Sequence, residues 1–330
     1  MRRANGKSAS FRRLAKAGAC VLGLLGASGA ARAADVTVPG KADFPESLSG
    51  TPDGALYFGS FAGGRIFRSA PGAAEAQEWI KQGTNGMSSV LGVLADPKSN
   101  TLYVCSDDVR WGGIVVPGGD EVTALKTFDL TTGTPRASLP LPASKLFGQT
   151  ALCNDIAVGA DGSAYITDSL SGYILRLKPG SNAFEVWAHD PRWDVKGPQL
   201  DGIAIMGGNI YTNLFEGDGL YRIAMNADGG AGAVTKLKTS HSLYHSDGLR
   251  AYGDKLLMVE GETKGTLDLI TLSGDNAEVA TVKGGFQAPV SLWQNGGTIY
   301  VLDVPLKYMF DPSLKGKGPA FTAFAVKAPE

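Results

Sequence analysis

Four oxygen-bearing residues, Glu46, Asn154, Asp201 and Asp247, head segments of one common form: an apolar alternation, a Gly- or Asp-rich bend, and a second strand with a Tyr or large apolar residue. If the fold gathers three carboxylates and an amide at one place, their like charges must be protonated or neutralised by a cation. Hard oxygen donors without thiolate or a His cluster favour calcium, with magnesium, manganese and zinc as alternatives. The chain has no CxxC or Cys/His spacing, which argues against zinc. An Asp-Gly pair alone is an ordinary turn signal. The shared register of the four residues is what marks them, and it predicts that Asn154 offers its carbonyl oxygen to a divalent metal.

The elements that must position these residues repeat. Six segments begin at Glu46, Leu91, Asn154, Asp201, Asp247 and Pro289, separated by 45, 63, 47, 46 and 42 residues. The long interval holds the extra stretch VRWGGIVVPGGDEV. A second strand pair follows each hairpin, as in GRIFRSA and GYILRLKPG. Four strands in roughly 45 residues is the size of a propeller blade, so the expectation is an all-β, six-bladed β-propeller of four-stranded antiparallel blades filling residues 34–330. A double-sheet sandwich would not explain the regular period. Ring closure calls for DVTVPG, near Asp35, to complete the last blade alongside FTAFAVK, which pairs otherwise open edges. The first strand of each blade then lines the channel, and its opening residue lies at the channel mouth.

Residues 1–33 read as a secretory signal peptide: a basic start, an apolar run over 17–31, and an Ala31-Arg32-Ala33 cleavage site. The apolar run is too short for a stable membrane anchor. This leader holds 7 basic residues and no acidic one, so the 31 basic and 32 acidic residues of the whole chain become 24 and 32 after cleavage. An acidic chain without a basic run argues against nucleic acid as a partner. The expected location is the periplasm or the medium, by the general or the twin-arginine route. Cys105 and Cys153 remain after cleavage, either as a disulfide, which export permits, or as two buried thiols.

The order and spacing of FPESLSGTPDG, LCNDIAVGADG, QLDGIAIMGG and HSDGLRAYGD resemble the senescence marker protein/gluconolactonase/regucalcin superfamily, relatives of the paraoxonases and diisopropylfluorophosphatase. The resemblance covers nearly all of the mature chain. It implies a divalent metal at the channel mouth held by Glu46, Asn154, Asp201 and Asp247, with Asp201 standing where that superfamily usually has Asn. It further implies hydrolysis of a lactone or related ester, a small-molecule substrate. The metal would polarise the carbonyl, and Asp247, or secondly Asp201, would take a proton from the attacking water. A serine-esterase GxSxG elbow is missing. Loops after the second strands are expected to wall the pocket, which makes Phe61, Arg110, Trp111, Asp168, Phe215 and Asp303 candidates for substrate contact. His245, two residues before Asp247, is a candidate proton relay, while His189 and His241 are expected to be structural. The competing expectations are a calcium-stabilised propeller that binds without turnover and a phosphotriesterase-like relative.

Overall fold

The computed structural model describes residues 33–40, 43–142, 151–261, 264–314 and 316–329; the expected leader, up to Arg32, lies outside them. Six antiparallel sheets follow one another along the chain as six propeller blades. The innermost strands are Pro45–Gly50, Ser89–Asp96, Cys153–Val158, Leu200–Met206, Ser246–Tyr252 and Pro289–Asn295. Blade five gains a short fifth strand, Lys238–Thr239, running parallel to Asn276–Gly284. The last blade is closed as expected. Val36–Val38 pairs with Phe321–Lys327 in the register Val36 to Ala323 and Val38 to Phe321, and Asp35 accepts a 2.8 Å hydrogen bond from the amide of Ala325.

Period-two patterning builds each blade interface. Residues facing a neighbouring sheet are apolar, so a cluster forms between each pair of blades. Leu48, Phe58, Val290, Leu302 and Phe321 join blades six and one, and Tyr165, Trp187, Trp193, Ile203 and Tyr221 join blades three and four. Tyr165 meets Trp187 edge-on at 5.1 Å, and Trp193 meets Tyr221 edge-on at 5.8 Å, the favoured aromatic geometry. Cys105 and Cys153 form a disulfide, tying the second strand of blade two to the inner strand of blade three. The bend of the blade-three hairpin falls at Asp161-Gly162, where Gly162 takes a φ of 84° and Asp161 accepts the amide of Ser163 at 3.0 Å.

One local irregularity recurs in every blade. The register between inner and second strands slips near the start of each inner strand: between Pro45 and Ser47, Val90 and Val93, Cys153 and Ile156, Leu200 and Ile203, Ser246 and Leu249, and Pro289 and Ser291. A bulge bends its strand and re-aims a side chain. Glu46, Asn154, Asp201 and Asp247 all stand inside these slips. In blade six the slip encloses Val290, so the residue equivalent to the four is Val290 and not Pro289.

Candidate metal centre at the channel mouth

The glycines that follow Asp201 and Asp247 are set by proximity to the next blade. A Cβ on Gly202 would come within 2.5 Å of the Leu249 amide nitrogen, and one on Gly248 within 3.1 Å of the Ser291 Cα. Both Asp-Gly pairs therefore lie in strand at a close backbone approach and not in a turn. Asn213, at the end of a second strand, donates from Nδ2 to the carbonyls of Ser246 (2.6 Å) and Asp247 (3.0 Å), holding the backbone that carries Asp247.

The four residues line one cavity of about 10 Å³, together with Ser47, Asp155, Arg250, Val290 and Ser291; about that much room holds a single water or ion. Asn154 Nδ2 donates to Asp201 Oδ2 at 3.2 Å. Thr167 donates its hydroxyl to the Asp201 carbonyl at 2.6 Å and accepts from the Asp155 amide at 3.0 Å, joining blades three and four beside the site. Asp155 and Arg250 form a buried fork. Arg250 Nη1 contacts Asp155 Oδ2, and Nη2 lies 3.1 Å from Oδ1. Asp155 also accepts the amides of Ile156 at 2.9 Å and Ile203 at 3.1 Å. Arg250 borders a second cavity of about 470 Å³ as well, lined by the far ends of the inner strands, including Asp96, Ala157, Ile205 and Trp293. The Asp155–Arg250 pair thus divides the two cavities.

The electrostatics show an excess of negative charge. Burial, then the charges of Asp201, Asp155 and Asp107, push Glu46 well above the usual carboxylate range. Burial and the Asp201 and Glu46 charges push Asp247 well up too. Asp201 is pushed up to about 7 by burial and the Asp155 charge, against the hydrogen bonds from Asp247 and Asn154 and the Arg250 guanidinium. Among the described residues, no three His, Cys, Asp or Glu side chains close into a coordination shell. The donor chemistry nevertheless fits a hard divalent cation: three carboxylates and one amide, with neither sulfur nor imidazole, in a cavity short of positive charge.

The remaining candidates separate. Phe215 and His245 border a cleft beside the cavity that also includes Asp247. Asp168 is buried and faces its own loop, accepting the amides of Leu152 (2.9 Å) and Leu170 (3.1 Å) and the Ser171 hydroxyl (2.6 Å). Asp303 likewise accepts the amides of Gln287 (3.0 Å) and Ala288 (2.6 Å). Neither borders the cavity or the cleft, and both act as clasps on the loop leading into an inner strand. Arg110 is bound to Asp108 and Glu121, Trp111 is 64% exposed, and Phe61 packs on the cluster of Leu91, Val109 and Leu152. His189 meets Asp194 at 2.9 Å, and His241 meets Glu260 at 3.0 Å. Sequence reasoning missed Asp155, Arg250, Val290 and Ser291. Of these, Asp155 was signalled by its place beside Asn154, and Val290 only by the bulge register.

No family model matches the chain, and no curated protein does. Solved structures do. A regucalcin described as a calcium-binding protein, from Agrobacterium tumefaciens strain C58, superposes with a TM-score of 0.63 at 14% identity, over 90% of this chain and 96% of its own. A gluconolactonase from Xanthomonas campestris gives 0.58 at 14% identity, over 80% and 84%. The fold is that of the regucalcin and gluconolactonase propellers. Regucalcin and gluconolactonase, two of the proteins named from the sequence motifs, are therefore among the structural neighbours. The PQQ-bound aldose sugar dehydrogenase of Streptomyces coelicolor superposes on this chain too, with a TM-score of 0.59 at 15% identity over 90% and 96%. Neighbours named for such different reactions place the burden of assigning chemistry on the site itself.

Proposed function

We propose that this protein is a divalent-metal-dependent hydrolase that opens a lactone or a related ester. The observation that carries the reading is the convergence of Glu46, Asn154, Asp201 and Asp247, from four blades, on one cavity beside an open cleft. These four residues would hold the cation, calcium first by donor chemistry, and it would supply Lewis-acid polarisation of the scissile carbonyl. Asp247 borders both cavity and cleft, which suits it to take a proton from a water attacking a substrate held in the cleft. Asn154 orients Asp201 through its amide, and the Asn213 bonds hold the Asp247 backbone in place. His245 stacks on Phe215 with ring centres 5.0 Å apart as a wall of the cleft; its Nε2 lies 3.8 Å from the Glu216 carboxylate, so a proton relay between them would need a bridging water.

The exported reading of residues 1–33 is part of the proposal, and the Cys105–Cys153 disulfide supports it, since such bonds persist in oxidising compartments. The test is metal analysis of the purified mature protein, followed by acid release from a lactone panel with and without chelator. Hydrolysis abolished by chelation and restored by one metal supports the proposal. Bound metal with ligand binding but no turnover would make the propeller a binding platform instead.

A further inference from the structure

The cleft beside the cavity has a volume of about 280 Å³, just below the usual range for ligand sites, about 300–1,000 Å³. Its walls are carbon for the most part: Phe215, Pro289, Val290, Leu306 and Phe310. Among the described residues, only His245, Asp247 and Lys307 bring polar side chains to it. His245 holds a φ of 50°, unusual for a residue other than glycine, and its ring lies against Phe215 on one contact and Tyr244 on another, at 5.0 and 4.1 Å. It thereby extends the aromatic wall. Phe310 stands 59% exposed on the four-residue helix Lys307–Phe310, a large apolar side chain left in water at the rim. The opposite wall is held firmly, because Asp303 accepts the Ala288 amide and the Ala288 carbonyl accepts the amide of Val304 at 2.8 Å. Asp247 and Val290 border both the cavity and the cleft, so whatever fills the cleft is continuous with the reacting centre.

A polyhydroxylated ring placed here would exchange water for carbon at most of its hydroxyls, which is unfavourable. An alkyl or aryl substituent would gain by the same exchange. The geometry points to a substrate class: a lactone or ester carrying a short apolar substituent seated between Phe215, Leu306 and Phe310, and not a sugar lactone. This rests on the lactonase reading above for the reacting group, and on the cleft alone for the substituent.

Two measurements separate those foundations. The first is kcat/KM of the metal-loaded protein on γ-lactones with unbranched side chains of increasing length, beside glucono-lactone. It should rise about fourfold per methylene until the cleft is full, the equivalent of about 0.8 kcal/mol for each buried CH₂ at about 1.4 kcal/mol per tenfold. The rise should flatten in Phe310→Ala and Leu306→Ala. The second is calorimetric binding of 3-alkylcyclopentanones, the carbocyclic counterparts of γ-alkyl lactones, which keep the ring and the substituent's position but cannot be hydrolysed; affinity should follow the same order and weaken in the same variants. Turnover of glucono-lactone with no gain from alkyl chains would overturn the apolar cleft and leave the lactonase reading standing. Chain-dependent ketone binding without hydrolysis of any lactone would overturn the lactonase reading and leave the cleft assignment standing. Neither binding nor turnover would overturn both.

Discussion

Asp201 is surrounded by groups that push in opposite directions. Burial and the Asp155 charge raise its pKa to about 7 from the usual 3.8, while Asn154 and Arg250 oppose the shift. Between those two values the native state holds more protons than the unfolded chain, so stability is highest at the acid end of that interval and falls as pH rises through about 7. The raised Glu46 and Asp247 carboxyls act in the same direction. Chelated protein should therefore melt at a lower temperature at pH 7.5 than at pH 5, and calcium should remove the drop by binding the ionised carboxylates; a melting series with and without chelator measures both. If Asp247 is the base, Asp247→Asn should lower kcat by about 10²–10⁴ while the circular dichroism spectrum and melting profile keep a folded propeller. Full activity in that variant would remove the base assignment. For Asp168 the structure argues the other way: with its oxygens spent on its own loop, Asp168→Ala should lower the melting temperature and leave KM alone.

At the scale of strands, the recurrent bulge is what turns a repeat into a site. Gly202 and Gly248 suit it: the Leu249 amide leaves no space for a Cβ on Gly202, and the Ser291 backbone leaves only a tight one on Gly248. Gly202→Ala should destabilise the fold by about 1–3 kcal/mol in urea unfolding and weaken cation binding by displacing Asp201. Much of this level was legible from the amino acids. Blade period, hairpin bends, closure by the strand after Asp35 and the four shared oxygen positions all depend on patterns local in sequence. The rest was not, for physical reasons. Val290 is recognised as the sixth equivalent residue only when the register slip is seen, since Pro289 fits the spacing equally well. Asp168 and Asp303 end second strands, where pocket residues would stand, and only their backbone partners reveal them as clasps. The Arg250–Asp155 fork spans 95 residues and leaves no periodic trace.

For the molecule as a whole, stability is spread around a ring whose blades meet at apolar clusters, with two devices that act at a distance. The disulfide closes a separation of 48 residues, and removing it as Cys105→Ser/Cys153→Ser should lower the unfolding free energy by about 2–4 kcal/mol in urea. The fork crosses from blade three to blade five. Arg250→Leu should lower stability by about 3–5 kcal/mol, because Asp155 would stay buried without its partner, and adding Asp155→Leu should recover much of that loss. The fork also gives the pore a plug. If the protein opens a lactone as proposed, reactant and product share one doorway, and the released acid retreats past incoming molecules instead of draining out behind them. Under that reading, a molecule held in the chamber on the reverse side would leave passage at the front unhindered.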